Sequence, residues 1–323
     1  VPVCNNTSHN DFTIHGITQM LSHPAASPIW CIGYDLCGSS GCSNHLHGCG
    51  FYDKFGREIS TLSIVSKRDL VRRSVVVAHR YGVLVYCHAQ RDFYPPLHGM
   101  ADVWQPGEDI SNMALLNPYC MMDDISDARY RSEYNSYTLG VAVNLSPSIC
   151  QMNHAFFKPD AYPYTVASLA MVQLYDLEYN RNYLAGKPTL RLWDILEHYG
   201  IWKNDTERHV FYEQQEILSS DPEVGVTYYK NSDGRYLIFL ANRSVRSKNV
   251  TIDMTKLTKN SFEAFEEYYE NPVQVTEGKF TVKMQARNFQ VIAFPRKHFY
   301  PHEDSMNTPW GVWTPAKCDS EFM

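Results

Sequence analysis

This sequence has little excess of either charge. Lys and Arg total 29 against 35 Asp and Glu, a net charge of −6 and a pI near 6.1, with 20% charged residues overall. A basic surface able to follow a phosphate backbone is therefore missing, and a nucleic-acid partner is not expected. No run approaches the roughly 18 apolar residues that a membrane-crossing helix needs, so no membrane span is expected. The opening Val1-Pro2-Val3-Cys4 has neither the basic nor the apolar segment of a secretory leader. The chain is not short of apolar residues, however. At 323 residues and 44% hydrophobic it can bury a substantial core, and it has none of the composition of a disordered polymer.

Cysteine is abundant. Nine are present, at 4, 31, 37, 42, 49, 87, 120, 150 and 318, and four of them fall between residues 31 and 49. Asn-x-Ser/Thr sequons begin at Asn5, Asn6, Asn144, Asn204, Asn242 and Asn249. One sequon means little, but this many beside clustered cysteines points to a secreted, extracellular glycoprotein. Asn144 sits in an apolar run with Pro147 close behind, which counts against it. That leaves Asn5, Asn6, Asn204, Asn242 and Asn249 as the expected acceptors. If the protein is secreted, a leader must have preceded Val1. An odd cysteine count leaves one thiol free or bonded to another chain.

The block Cys37-x4-Cys42-x2-His45-x-His47-x-Cys49 has the residue types and crowding of a zinc site. In an oxidising compartment the same cysteines pair instead. Disulfides drawn from Cys31, Cys37, Cys42 and Cys49 are therefore expected, with no metal and no cofactor. Their connectivity cannot be read from sequence.

Apolar runs alternate with helical segments over the first 204 residues. Ile29–Asp35 reads as a strand ending in an acid. Ser66 starts a helix that runs to about Arg80 and stops at Gly82. Val83–His88 is a second strand, Gly99–Trp104 a third, and Leu139–Leu145 a fourth. Helices are expected near Ser126–Tyr134, Thr165–Leu174 and Pro188–Gly200. Continuous apolar strands between helices indicate a parallel sheet covered on both faces. Such a sheet places all its strand C-termini on one side, where an α/β barrel carries its chemistry. Asp35, His88, Asp102 and Asp176 are expected at those ends, with Glu108 just beyond one of them. The count stops at four or five units, whereas a closed barrel needs eight strands. The expectation is the C-terminal part of a TIM-like β/α barrel, with the rest supplied by a preceding polypeptide segment.

From 205 to 297 the pattern becomes antiparallel. Val224–Tyr229, a turn at Asn231–Gly234 and Tyr236–Leu240 make a hairpin. Val250–Met254, Phe280–Met284 and Phe289–Phe294 add strands, giving a β-sandwich. Residues 298–323, rich in Pro and aromatics, form an extended tail.

The order of four features resembles glycoside hydrolase family 123 proteins. These are Tyr34-Asp35 followed by Gly48-Cys49; Tyr86-Cys87-His88 followed by Pro95-Pro96 and Ala101-Asp102; Pro106-Gly107-Glu108 with Arg129-Tyr130-Arg131 and Gly140-Val141; and Leu192–Asp194 ahead of Leu240-Ala241-Asn242. The resemblance runs from about residue 28 to 295. It implies a barrel with a C-terminal β domain and a carbohydrate partner. The adjacent Asp-Glu pair usual in that family is missing. Glu108-Asp109 has the reverse order, Asp123-Asp124 pairs two aspartates, and Glu266-Glu267 lies in the β domain.

Hydrolysing a glycosidic bond takes a proton donor and a second carboxylate or substrate group. Asp35 and Glu108 are the expected catalytic pair, with His88, Asp102, Trp104 and Asp176 contacting substrate. The competing reading makes these acids helix caps or ion-pair partners of Arg91, Arg129 or Arg131. The functional expectation is a glycoside-hydrolase-like glycoprotein that hydrolyses or binds a polysaccharide at the barrel mouth. Its alternative is a catalytically inactive structural glycoprotein that assembles with itself or a partner.

Overall fold

Apolar runs flanked by helices need cover on two sides, and the computed structural model shows how each run finds it. It describes residues 4, 6–26, 29–35, 37–38, 40–88, 93–136, 140–149 and 161–296. The tail expected at 298–323 lies outside them, as does Asn5. The chain separates into two units. One takes residues up to 109 together with 128–146, and the other takes 110–127 and everything from 147 onward.

The first unit is built on a four-stranded parallel sheet in the order Cys31–Tyr34, Leu84–His88, Val103–Gln105, Ala142–Val143. This is half the strand number of a closed β/α barrel. Helix Ile64–Arg80 links the first two strands and buries Leu70, Val71, Ser74 and Ala78 on one stripe. Gly82, at φ +70°, ends the turn that feeds the second strand. The cap is Ser63 rather than Ser66, because the helix begins earlier than its polar signal. A second helix, Thr7–Ser22, packs against it, placing Ile17 and Leu21 on Ala78, Val83 and Val85. Its N-cap Asn6 accepts a hydrogen bond from the His9 backbone N–H at 2.9 Å. Between the first strand and the linking helix the chain makes an excursion with two small antiparallel pairs. Gly41–Cys42 pairs with Thr61–Leu62, and Phe51–Tyr52 with Glu58–Ile59.

The second unit holds two antiparallel sheets. Six strands run in the order Asn271–Val275, Phe262–Glu266, Asn288–Phe294, Tyr236–Asn242, Val224–Lys230, Glu207–His209. Three more form the sheet Leu218–Ser219, Lys248–Asp253, Lys279–Met284. Val226, Ile238, Leu240, Val250, Ile252, Phe280, Val282 and Ile292 close a core drawn from both sheets. The Val224–Lys230 and Tyr236–Asn242 hairpin pairs residue for residue around the expected turn.

Helix Ala161–Leu174 explains why Tyr236–Asn242 is apolar throughout rather than alternating. Eleven of its fourteen residues are buried, so it cannot lie on a surface. It packs on strands 236–242 and 288–294 of the six-stranded sheet, so both faces of that sheet are covered. Gly225 permits the approach, since a Cβ there would lie 2.8 Å from the Leu174 side chain. Residue 204, the expected domain boundary, therefore falls inside this unit.

Candidate active site

Parallel register brings the first two site residues together. Tyr34 pairs with Cys87, so Asp35 and His88 leave neighbouring strands at the same level. His88 Nδ1 lies 2.7 Å from Asp35 Oδ1. The third strand aligns Gln105 with His88 and then turns through Pro106-Gly107. Gly107 has φ +106°, and a Cβ on it would lie 2.3 Å from the Ser146 carbonyl oxygen, so only glycine fits. That turn returns Glu108 to the rim, with Oε2 3.6 Å from His88 Nε2. One imidazole thus has a carboxylate at each ring nitrogen. His88 and Glu108 are 14% and 25% exposed in their side chains, whereas Asp35 is 82% exposed.

The neighbouring acid points elsewhere. Asp109 accepts from Arg129 Nη2 at 2.6 Å, and Arg129 Nε donates to Glu133 at 2.7 Å. The guanidinium also lies over the Tyr134 ring, 5.3 Å from its centroid. Arg129, one of the arginines expected to pair with the rim acids, is taken by Asp109 and Glu133, while Glu108 stays with His88.

Three expected substrate contacts are corrected. Asp102 precedes its strand instead of ending it, because the ladder covers only Val103–Gln105. It lies level with Val85, three residues and roughly 10 Å from the rim at about 3.3 Å per residue. There its Oδ2 accepts the Val85 backbone N–H at 2.7 Å, and His79 Nε2 is 3.0 Å away. Trp104 is 1% exposed and packs with Phe93, Val141 and Val143, which leaves no ring face for a sugar. Asp176 follows a helix rather than a strand and belongs to the second unit. It accepts from Tyr229 Oη at 2.8 Å and pairs with Arg208 at 3.6 Å, and burial raises its carboxyl above the ordinary range.

The sequons and cysteines separate in the same way. Asn242 is fully buried, and its side-chain amide donates to the Arg246 and Gln285 carbonyls at 2.9 and 2.7 Å, so it cannot carry a glycan. Asn204 and Asn249 are exposed, and Asn6 serves as a helix cap through its side-chain oxygen. None of the seven described cysteines is disulfide-bonded. Cys31 lies at the start of the first strand. Cys37 is buried against Cys87, whose thiol is pushed up by the hydrogen bond the two share and by burial. Cys42 and Cys49 instead meet Cys4 and His47, while His45 turns away to Glu58 at 3.3 Å and stacks on Tyr52. Cys4 had no signal of its own in sequence, because it is 38 residues from Cys42.

No family model and no curated protein matches this chain. Among solved structures it is similar to a noncanonic maltogenic α-amylase from Thermotoga neapolitana, at 11% identity and a TM-score of 0.50, over 90% of this chain and 67% of that one. That likeness is one of fold alone, to an α-amylase that shares only 11% of its residues with this chain. Weaker likenesses are a family 30 endoxylanase from Clostridium papyrosolvens (9% identity, TM-score 0.48, 89% of this chain and 72% of that one) and α-galactosidase I from Mortierella vinacea (8%, 0.47, 89% and 72%). None of these reaches the family 123 likeness specifically. Among the described residues no helix is long and apolar enough to cross a membrane.

Proposed function

We propose that this glycoside-hydrolase-like chain binds a polysaccharide at the rim of its parallel sheet and cleaves a glycosidic bond there. One observation carries the reading. Asp35, His88 and Glu108, 73 residues apart from first to last, converge at the C-terminal ends of three adjacent parallel strands. That is where an α/β architecture gathers its chemistry. Glu108, the more enclosed carboxyl, donates the proton to the leaving oxygen. Asp35 faces the positive charge that develops on the sugar ring, water then adds to the anomeric carbon, and the proton it releases returns to Glu108. His88 holds Asp35 through Nδ1, and its Nε2, 3.6 Å from Glu108, is the nitrogen that meets a sugar hydroxyl. Exposed sequons at Asn204 and Asn249 support a secreted glycoprotein.

A panel of aryl glycosides and polysaccharides tests the reading, with binding and turnover measured separately. Glu108→Gln is expected to lower turnover by about 10²–10⁴-fold while binding persists. Asp35→Asn is expected to lower it as well. A chain that neither binds nor turns over any saccharide removes the proposal.

A second reading follows from the exposure of Asp35 and from the imidazole wedged between the acids. In it the rim binds without cleaving, and the protein is an extracellular structural glycoprotein that assembles with itself or a partner. Saccharide binding unaffected by Glu108→Gln, with no turnover and with self-association, selects it.

A further inference from the structure

Four ligating side chains gather where no function has yet been assigned. Cys4 Sγ lies 3.7 Å from Cys49 Sγ and 3.8 Å from His47 Nδ1, and Cys42 Sγ lies 3.8 Å from His47 Nε2. All four side chains place a donor atom within 4.8 Å of every other, and all are half-buried. A disulfide needs its sulfurs at about 2.05 Å, which no pair here approaches with the others still in place. A tetrahedral zinc with Zn–S bonds of about 2.3 Å sets its sulfurs roughly 3.8 Å apart, close to the 3.7 Å between the Cys4 and Cys49 sulfurs.

The backbone is arranged to make this cluster. Gly41–Cys42 is held by its pairing with Thr61–Leu62. Asn44 caps the single turn His45–His47 through Leu46 N–H at 3.0 Å, and its own N–H is directed at the Cys42 sulfur. The Cys49 N–H returns to the Asn44 carbonyl at 3.2 Å. Gly48 and Gly50, at φ +77° and +78°, reverse the chain on either side of Cys49. A Cβ on Gly50 would lie 2.8 Å from the Ser43 backbone, so the knuckle requires glycine there. Cys4 arrives from just outside the N-cap of helix Thr7–Ser22, its carbonyl accepting from Asn6 N–H at 2.9 Å.

We propose that Cys4, Cys42, Cys49 and His47 bind one structural Zn²⁺, which ties the N-terminal helix to the excursion between the first strand and the linking helix. Four protein ligands fill a tetrahedron and leave no open position for water or substrate, so the ion supports the fold and takes no part in catalysis. It withdraws Cys42 and Cys49 from the disulfide pairing that an oxidising compartment otherwise favours. Three thiolates with one imidazole favour zinc over the oxygen-seeking Mg²⁺ and Ca²⁺.

The test uses the full chain, purified anaerobically and without chelators. Elemental analysis is expected to find about one zinc per chain. Cobalt exchanged into the site is expected to give the intense thiolate-to-metal and d–d absorption of a tetrahedral site. Alkylation of the unmutated protein should leave Cys4, Cys42 and Cys49 protected until a chelator is added, which reports on the site even if a variant fails to fold. Cys42→Ser and Cys49→Ser are expected to lose the metal, Cys31→Ser to keep it, and His47→Cys to give a four-sulfur set that still binds. Metal-free protein with all three thiols freely alkylated, or with Cys4 bonded to Cys42 or Cys49, overturns the assignment.

Discussion

The two units of this chain solve the same problem with different means. In the second, seven of the nine strands have five to seven residues and pair in long register, and the central sheet is covered by the three-stranded sheet on one face and helix Ala161–Leu174 on the other. In the first, the parallel strands have two to five residues, and the apolar clusters around them are small. Polar fixtures do more there. They include Asp102 on the Val85 N–H, His98 Nε2 2.7 Å from the Cys37 carbonyl, Arg129 between Asp109 and Glu133, and the Cys4 cluster. Apolar burial is generic and tolerates drift in detail. Polar fixtures are local and directional, so the unit that relies on them can also present reactive groups at a fixed spacing.

The largest expected effect challenges the apolar side of this contrast. Phe239 is fully buried and stacks on Phe289, with ring centroids 5.0 Å apart. Phe239→Ala is expected to cost about 3–5 kcal/mol of unfolding free energy, read by urea denaturation. A loss below about 1 kcal/mol would mean that this core is not what holds the unit.

The next effect concerns an acid inside that core. Burial raises the Glu266 carboxyl from 4.5 to about 7, against the backbone N–H groups of Val291, Tyr269 and Tyr268 that bond its oxygens. The folded state therefore holds this proton more tightly than the unfolded chain does. Its stabilising contribution is complete below about pH 4.5 and is lost as the pH rises through 7. The gap corresponds to about 3 kcal/mol between these limits. Unfolding measured at pH 5 and pH 8 should show the decline, and Glu266→Gln should flatten it.

The smallest effect sharpens the polar side. Asp102→Ala leaves the Val85 N–H without its partner in a buried strand and is expected to cost about 1–3 kcal/mol. Saccharide affinity should stay unchanged, because Asp102 is remote from the rim. A fall in affinity with stability intact would return Asp102 to the binding site.

How much could be read in advance differs along the same line. The hairpin around Asn231–Gly234, the strand ending at His88, and Glu108 beyond Pro106-Gly107 were all legible, since apolar period, turn residues and chain direction are local signals. The misplacement of Asp102 came from a strand end wrong by a few residues, which in a parallel sheet decides which rim a side chain joins. Helix Thr7–Ser22 was missed because its buried stripe is only Asn10, Ile17 and Leu21 in a polar stretch.

Composition and residue order alone determined that this chain carries a large apolar core, a parallel region and then an antiparallel one, and acids positioned to end strands. Which acids meet, which sequon is buried and which cysteines share a centre were decided only by tertiary structure. Those outcomes depend on register and on loop closures spanning tens of residues. Asp35 and His88, and Cys4 and Cys42, are neighbours because strands and turns bring distant segments together, and no local pattern records that.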